Sequence, residues 1–318
     1  MPLIITRQDY NYFVGTSELY RRESDKGKKS NIMELLLAKT LITRNLEEDW
    51  WNGASHEIDS WVKGSPLAVP AQHPVTKFLA EWGSKEASPA TYGRMLGFAL
   101  DLLDAIDQKD SNLDAKIPEL ESKSFFETWF EVHTASIFTR KGMPTKFIEE
   151  SPREKRPDFS ITYRDGKVLA ECKLRAKLSP EERSSERIFR KRIDARLASV
   201  EALLNDASGK VSSPTVPYLI ALGIEEPLPT VSSSLERKLL RSLIETFLLR
   251  NTNVTALIVL SEHWFNDGDF VQFQTGISCI PSTLPDRILP DDFYRVLVDS
   301  KVNSRPRIES LSEYALKH

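Results

Sequence analysis

Asp158, Glu171 and Lys173 are the residues whose types and spacing suit a reaction, with twelve residues separating Asp158 from the run Glu171-Cys172-Lys173. Two carboxylates about one strand repeat apart can hold Mg²⁺ or Mn²⁺, hard cations that take oxygen ligands and keep several waters. The backbone carbonyl of Cys172 offers a third ligand. A cation held there polarises a phosphate and lowers the pKa of a bound water, while Lys173 orients or helps deprotonate that water. The chemistry in view is attack of water on a phosphodiester.

The elements that must position these groups are two alternating runs around Asp165-Gly166, a pair that favours a two-residue hairpin turn. With that turn, Thr162 faces Leu169, Ser160 faces Glu171 and Asp158 faces Lys173. Side chains alternate across a strand, so Phe159, Ile161 and Tyr163 share one face with Val168, Ala170 and Cys172. Asp158, Glu171 and Lys173 share the other. Glu-x-Lys recurs at Glu121 and Glu236, but only the copy at Glu171 lies in strand-like sequence within reach of a Pro-Asp pair.

An upstream helix carries two glutamates. Ser124-Phe125-Phe126-Glu127 is a capping box, which makes Glu127 structural. Glu131 lies one turn further on, among Phe126, Trp129, Phe130, Ile137 and Phe138, where a carboxylate needs a partner or a metal. We therefore expect Glu131 to join the acidic cluster, as a catalytic or metal-binding residue. Neighbouring His133 is expected to pack or hydrogen-bond.

Beyond Lys173 come Arg175 and Lys177, then Ser179-Pro180-Glu181-Glu182, a second capping box opening a long helix. Its buried stripe is Phe189, Ile193, Leu197, Val200 and Leu204; Arg183, Arg187, Arg190 and Lys191 fall on the opposite side. With Arg175 and Lys177, that ridge is the candidate nucleic-acid-binding surface, against the plainer reading of a solvated, locally paired helix face. From Arg153 to Arg196 there are fourteen Lys or Arg and eight Asp or Glu, a local net of +6 in a chain of net −3, leaving −9 elsewhere. Basic charge confined to one zone suits a phosphate-engaging site better than a nucleic-acid coat.

The segment Pro157-Asp158, twelve residues, Glu171-Cys172-Lys173 resembles the PD-(D/E)xK motif of the restriction-endonuclease-like nuclease superfamily. Phe130-Glu131, Ala135 and Gly142 resemble the helix and glycine that lead into the first strand of such proteins. The likeness covers about residues 120 to 280. It implies a mixed β-sheet flanked by helices, Mg²⁺ or Mn²⁺ dependence, and cleavage of nucleic acid, with DNA favoured and restriction, repair or anti-phage defence as settings. Neither the Gln-x-x-x-Tyr of RecB-like members nor the helix glutamine of Mrr-like ones follows Lys173. The alternative is a catalytically inactive module of this fold that binds nucleic acid or a protein partner.

The rest fits an α/β (α+β) chain. Lys146 to Glu149, Tyr218 to Ile224, Val254 to Leu260 and Phe270 to Ile280 read as strands, with His263 just past one of them. A helix capped by Ser233 and Glu236 shows Leu235, Leu239, Leu243 and Phe247 on one side. Residues 1–118 read as a mainly helical region, for substrate or partner binding or for oligomerisation, and 119–318 as the nuclease-like domain. Helices are expected at Asn31 to Glu47, Val75 to Trp82 and Thr91 to Gln108, with Lys109 to Ser122 a polar link. Trp50, Trp51, Trp61 and Trp82 are expected in a core, and Arg21, Arg22, Lys26, Lys28 and Lys29 in a solvated loop.

A hydrophobic share of 40% is ordinary for a soluble chain, and no apolar run approaches membrane-spanning length. Two cysteines, Cys172 and Cys279, imply neither a disulfide framework nor a zinc site, so a reducing cytoplasm without a signal peptide is expected. Gly27-Lys28-Lys29-Ser30 fails the phosphate-loop pattern.

Overall fold

The computed structural model describes residues 4–46, 89–107, 113–120, 125–149, 155–175, 186–211, 215–225, 231–267, 270–299, 308 and 310–318. By compactness the chain forms two units. One comprises Met1–Ser136, Asn266–Gln272 and Pro306–His318; the other comprises Ile137–Phe265 and Phe273–Arg305. The division drawn from helical periodicity at residue 118 thus differs from the compact units, the first of which reaches Ser136 and takes in the last described helix.

The first unit is built mainly from α1 (Arg7–Thr16), α2 (Glu18–Arg22), α3 (Lys26–Asn45), α4 (Pro89–Asp107), α5 (Leu113–Leu120), the start of α6 (Phe125–Arg140) and a C-terminal helix (Leu311–Lys317). The basic residues from Arg21 to Lys29 lie in α2 and α3 rather than in a loop. The Asp25 carboxylate starts α3 by accepting from the Lys28 N–H at 2.8 Å. The expected polar link contains α5, whose Leu113, Ile117 and Leu120 recur at helical spacing, with Leu113 and Leu120 buried. Phe98 packs edge-on against Phe125 and Trp129, at 4.9 and 5.6 Å between ring centres. The expected helix at Val75 to Trp82 and the four early tryptophans lie outside the described residues.

The second unit holds most of a mixed sheet that has six strands among the described residues, in chain order: β1 (Thr145–Phe147), β2 (Phe159–Tyr163), β3 (Gly166–Leu174), β4 (Tyr218–Glu225), β5 (Ala256–Asp267) and β6 (Phe270–Pro281). The first three pair antiparallel; β3, β4 and β5 run parallel. Parallel neighbours need a crossover, supplied by α7 (Glu186–Ser208) and α8 (Val231–Arg250).

Both crossover helices cover one face. Val200, Leu204 and Ala207 of α7 and Ile244, Phe247 and Leu248 of α8 pack with Tyr218, Ile220 and Leu222 of β4 and Leu257 and Val259 of β5. Leu235 and Leu239 are exposed, so the α8 stripe runs through Leu240, Leu243, Ile244, Phe247 and Leu248 instead of the expected line. The opposite face carries Phe159, which meets Phe138 of α6 at 6.1 Å, and Tyr163, which meets Phe293 of α9 (Asp291–Val298) at 5.1 Å. Residues 218–224 of β4 and 256–260 of β5 are buried on both sides of the sheet, which is why those runs are apolar.

The last turn of α6 stops at Gly142, whose φ of 76° is left-handed. Gly142 N–H donates to Thr139 O at 3.0 Å and Met143 N–H to Phe138 O at 3.1 Å, a Schellman closure that turns the chain into β1. No helix of the described residues is long and apolar enough to cross a membrane.

Candidate active site

The hairpin of β2 and β3 closes one residue earlier than its Asp-Gly pair suggests. Tyr163 pairs with Gly166, so Arg164 and Asp165 form the turn, with Arg164 at φ 52°. Tertiary contacts favour this choice over local propensity: Arg164 forms an ion pair with Asp292 at the start of α9, and Tyr163 is seated against Phe293. The register becomes Thr162 with Lys167, Ser160 with Leu169 and Phe159 with Ala170, two residues from the expected one. A shift of two preserves parity, so each side chain keeps its expected face.

The new register brings Asp158 beside Glu171. Asp158 N–H donates to Ala170 O at 3.0 Å, and its carboxylate accepts from Cys172 N–H at 2.6 Å. Odd-numbered residues along β3 direct their N–H groups to the β4 side, as Leu169 does to Pro217 O and Arg175, just past the strand, does to Gly223 O. Cys172 therefore turns its backbone groups, the carbonyl included, to the β2 side of the strand, the side on which its N–H meets the Asp158 carboxylate.

Two further charged residues complete the cluster, both missed by the sequence reading. Asp206, at the end of α7, lies 2.7 Å from Lys173 Nζ and 3.3 Å from Lys155 Nζ. Lys210, just beyond that helix, lies 2.8 Å from Glu171 Oε1 and 3.5 Å from Asp158 Oδ1. Lys173 Nζ also meets Glu171 Oε1 at 3.0 Å. One ammonium touching both carboxylates establishes that Asp158 and Glu171 face a common point. Spacing offered no signal for Asp206 or Lys210, since only the crossover of α7 back to β4 returns them to β3.

Electrostatics follow from burial. Glu171 is fully buried, and that burial, with the nearby Asp158 charge, raises its carboxyl to about 7 despite Lys210 and Lys173. Burial pulls the Lys173 ammonium down, but Asp206 and Glu171 outweigh it and hold the group above its ordinary range. Lys210 is raised in the same way, burial being outweighed by Asp158 and Glu171. Lys173 in turn lowers Asp206. The Tyr218 hydroxyl, raised by burial and then by Glu171 and Asp158, donates to Ala207 O at 2.7 Å and secures the end of α7.

Asp158, Glu171 and the Cys172 carbonyl are the oxygen donors available to a cation. Both Glu171 oxygens are buried without a well-directed hydrogen bond among the described residues; the lysine contacts on Oε1 are close ion contacts. A hard divalent cation suits that donor set, because it would relieve a carboxyl raised by burial beside a second one. Among the described residues, no three side chains of His, Cys, Asp and Glu type converge on a metal-sized point. Glu131 belongs to the first unit, where its carboxylate meets the buried Lys116 ammonium at 2.8 Å. The partner its apolar helix required is thus a lysine. His133, also buried, bonds through Nδ1 to Asp101 at 2.9 Å, and Trp129 Nε1 donates to the same carboxylate at 2.9 Å.

Of the expected basic surface, Arg175 is half-buried just after β3. Lys177 and Arg183 lie outside the described residues, as does the capping box at Ser179; Arg187, Arg190 and Lys191 fall within α7, but their side chains are outside the described set. His263 falls inside β5, which runs beyond Leu260 to Asp267. Cys172 and Cys279 are free thiols. Comparison with protein-family models, curated proteins and solved structures finds no match for this chain.

Proposed function

We propose that this protein is a metal-dependent nuclease of the PD-(D/E)xK type, with the mixed sheet as a restriction-endonuclease-like core and DNA as its favoured substrate. The observation that carries this reading is the meeting of Asp158 and Glu171 at one cationic point, with Lys173 beside Glu171 on the same sheet face. Asp158, Glu171 and the Cys172 carbonyl would hold Mg²⁺ or Mn²⁺. When bound, the cation supplies Lewis acidity and charge neutralisation at the scissile phosphate.

The protein's own groups have separable tasks. Lys173, held as an ammonium by Asp206 and Glu171, is a hydrogen-bond donor rather than a base. It orients the attacking water and offsets charge gathering on the phosphate. Asp206 fixes the direction of that ammonium. Lys155, paired with Asp206 at the exposed edge, adds positive charge where a phosphate backbone would approach.

A panel of circular and linear DNA and RNA with Mg²⁺, Mn²⁺ or EDTA tests the reading. Cleavage of DNA with metal, none with EDTA, and none by folded Lys173→Ala or Asp158→Ala proteins is expected. Unchanged cutting by Lys173→Ala rejects the mechanism. One feature favours the inactive nucleic-acid- or protein-binding module: the three acidic groups are already matched by Lys155, Lys173 and Lys210. Such a module retains affinity for its partner without metal and cuts none of the substrates.

A further inference from the structure

Lys210 occupies the place that a cation shared by Asp158 and Glu171 would take. Its side chain is 21% exposed, and its ammonium contacts the two carboxylates at 3.5 and 2.8 Å. Lys173 differs, because Asp206 would continue to hold it if Glu171 turned to a metal. The partners of Lys210 are the two would-be ligands themselves.

The backbone around Lys210 is pinned on both sides. Its N–H donates to Ala207 O at 3.0 Å, and Gly209 N–H donates to Asn205 O at 3.2 Å. The Asn253 amide, ahead of β5, donates to Ser208 O at 2.9 Å and to Val211 O at 2.6 Å. Motion is therefore left to the four-carbon side chain, which can carry its compact charge out toward solvent while the chain stays in place. A divalent cation and an ammonium cannot both sit between one pair of carboxylates, since their like charges repel at contact distance.

We propose that Lys210 is an internal counter-ion that competes with the divalent cation for Asp158 and Glu171 and must swing aside when the metal binds. This rests on the metal-dependent reading above. Until metal arrives, Lys210 offsets part of the charge of the buried carboxylates and sets a threshold on metal affinity. Once displaced, it leaves the pair to the cation.

The test is Mn²⁺ binding to the full chain by calorimetry, comparing wild type, Lys210→Met, Lys210→Arg and Asp158→Ala. Removing the competing charge is expected to tighten binding about tenfold in Lys210→Met. Lys210→Arg stays near wild type and Asp158→Ala loses binding. A second measurement needs no variant: acetylation of Lys210 in the wild-type protein, followed by mass spectrometry, is expected to accelerate when Mn²⁺ is added. Equal affinity of wild type and Lys210→Met, or weaker binding by Lys210→Met, overturns the competition and leaves the metal site standing. Metal binding without a change in Lys210 labelling also overturns it. Absence of Mn²⁺ binding from wild type and Lys210→Met alike overturns both the competition and the metal-dependent reading.

Discussion

The Asp206 carboxylate lies 2.7 Å from the Lys173 ammonium, joining the end of α7 to the strand that carries the candidate catalytic lysine. A lysine has a long flexible stem, and a fixed anion on its far side turns a mobile charge into an aimed one. Asp206→Asn is expected to lower turnover by about 10- to 100-fold, as loss of an orienting partner does. The Michaelis constant should change little, because Asp206 would not touch substrate. Steady-state cleavage kinetics beside a thermal melt check this; an equal loss in both constants, or full activity, removes Asp206 from the positioning role.

How far this arrangement was legible from the sequence depends on the kind of periodicity involved. Strand alternation repeats every two residues, so a turn at Asp165 and Gly166 and the observed turn at Arg164 and Asp165 put Asp158, Glu171 and Lys173 on the same face. The turn itself was not legible, because Asp292 and Phe293, more than a hundred residues away, help select Arg164 for the left-handed position. Asp206 and Lys210 were invisible for a related reason: only the packing of α7 on the sheet brings them near β3. Lys116 carries no such signal, because a helix as short as Leu113–Leu120 has too few apolar positions to stand out from a polar link.

Glu131 and Lys116 form an ion pair at 2.8 Å with side chains 13% and 3% exposed, and Lys116 also meets Glu119 at 2.9 Å. Truncating one member of a buried pair strands the other charge. Lys116→Met is expected to cost about 3–5 kcal/mol, whereas Lys116→Met with Glu131→Leu recovers much of the loss. Chemical denaturation of the two single variants and the double variant measures the coupling. Glu131→Gln should lower the melting temperature while the folded protein keeps its turnover; lost turnover with an unchanged melt would return Glu131 to the acidic cluster.

Glu34 of α3 caps the C-terminal helix, α10 (Leu311–Lys317). Its carboxylate accepts from the Ser310 hydroxyl at 2.8 Å and from the N–H groups of Leu311 and Ser312 at 2.8 and 3.0 Å. A helix this short is not stable alone, so its open N–H groups depend on that anion. Glu34→Ala should destabilise the first unit by about 1–3 kcal/mol. Hydrogen exchange should speed up in α10 before α3; unchanged protection of the Leu311 and Ser312 amides would show that the cap contributes nothing.

Glu171 gives the site a pH signature whose sign follows from burial. Its carboxyl rises from an ordinary 4.5 to about 7, because burial and the Asp158 charge disfavour ionisation more than Lys210 and Lys173 favour it. The folded state therefore holds this proton more tightly than the unfolded chain. The resulting stability is fully present below 4.5 and is lost as pH rises through about 7. Glu171→Gln keeps the shape without the charge, and at pH 8 it is expected to be more stable than wild type by up to about 3 kcal/mol. That advantage should shrink steadily toward pH 5, while cleavage is lost at every pH. Parallel denaturation curves at several pH values read the difference directly. Equal stability of the two proteins at pH 8 would mean that the Glu171 charge is already compensated, and that the carboxylate pair has no stored need for a cation.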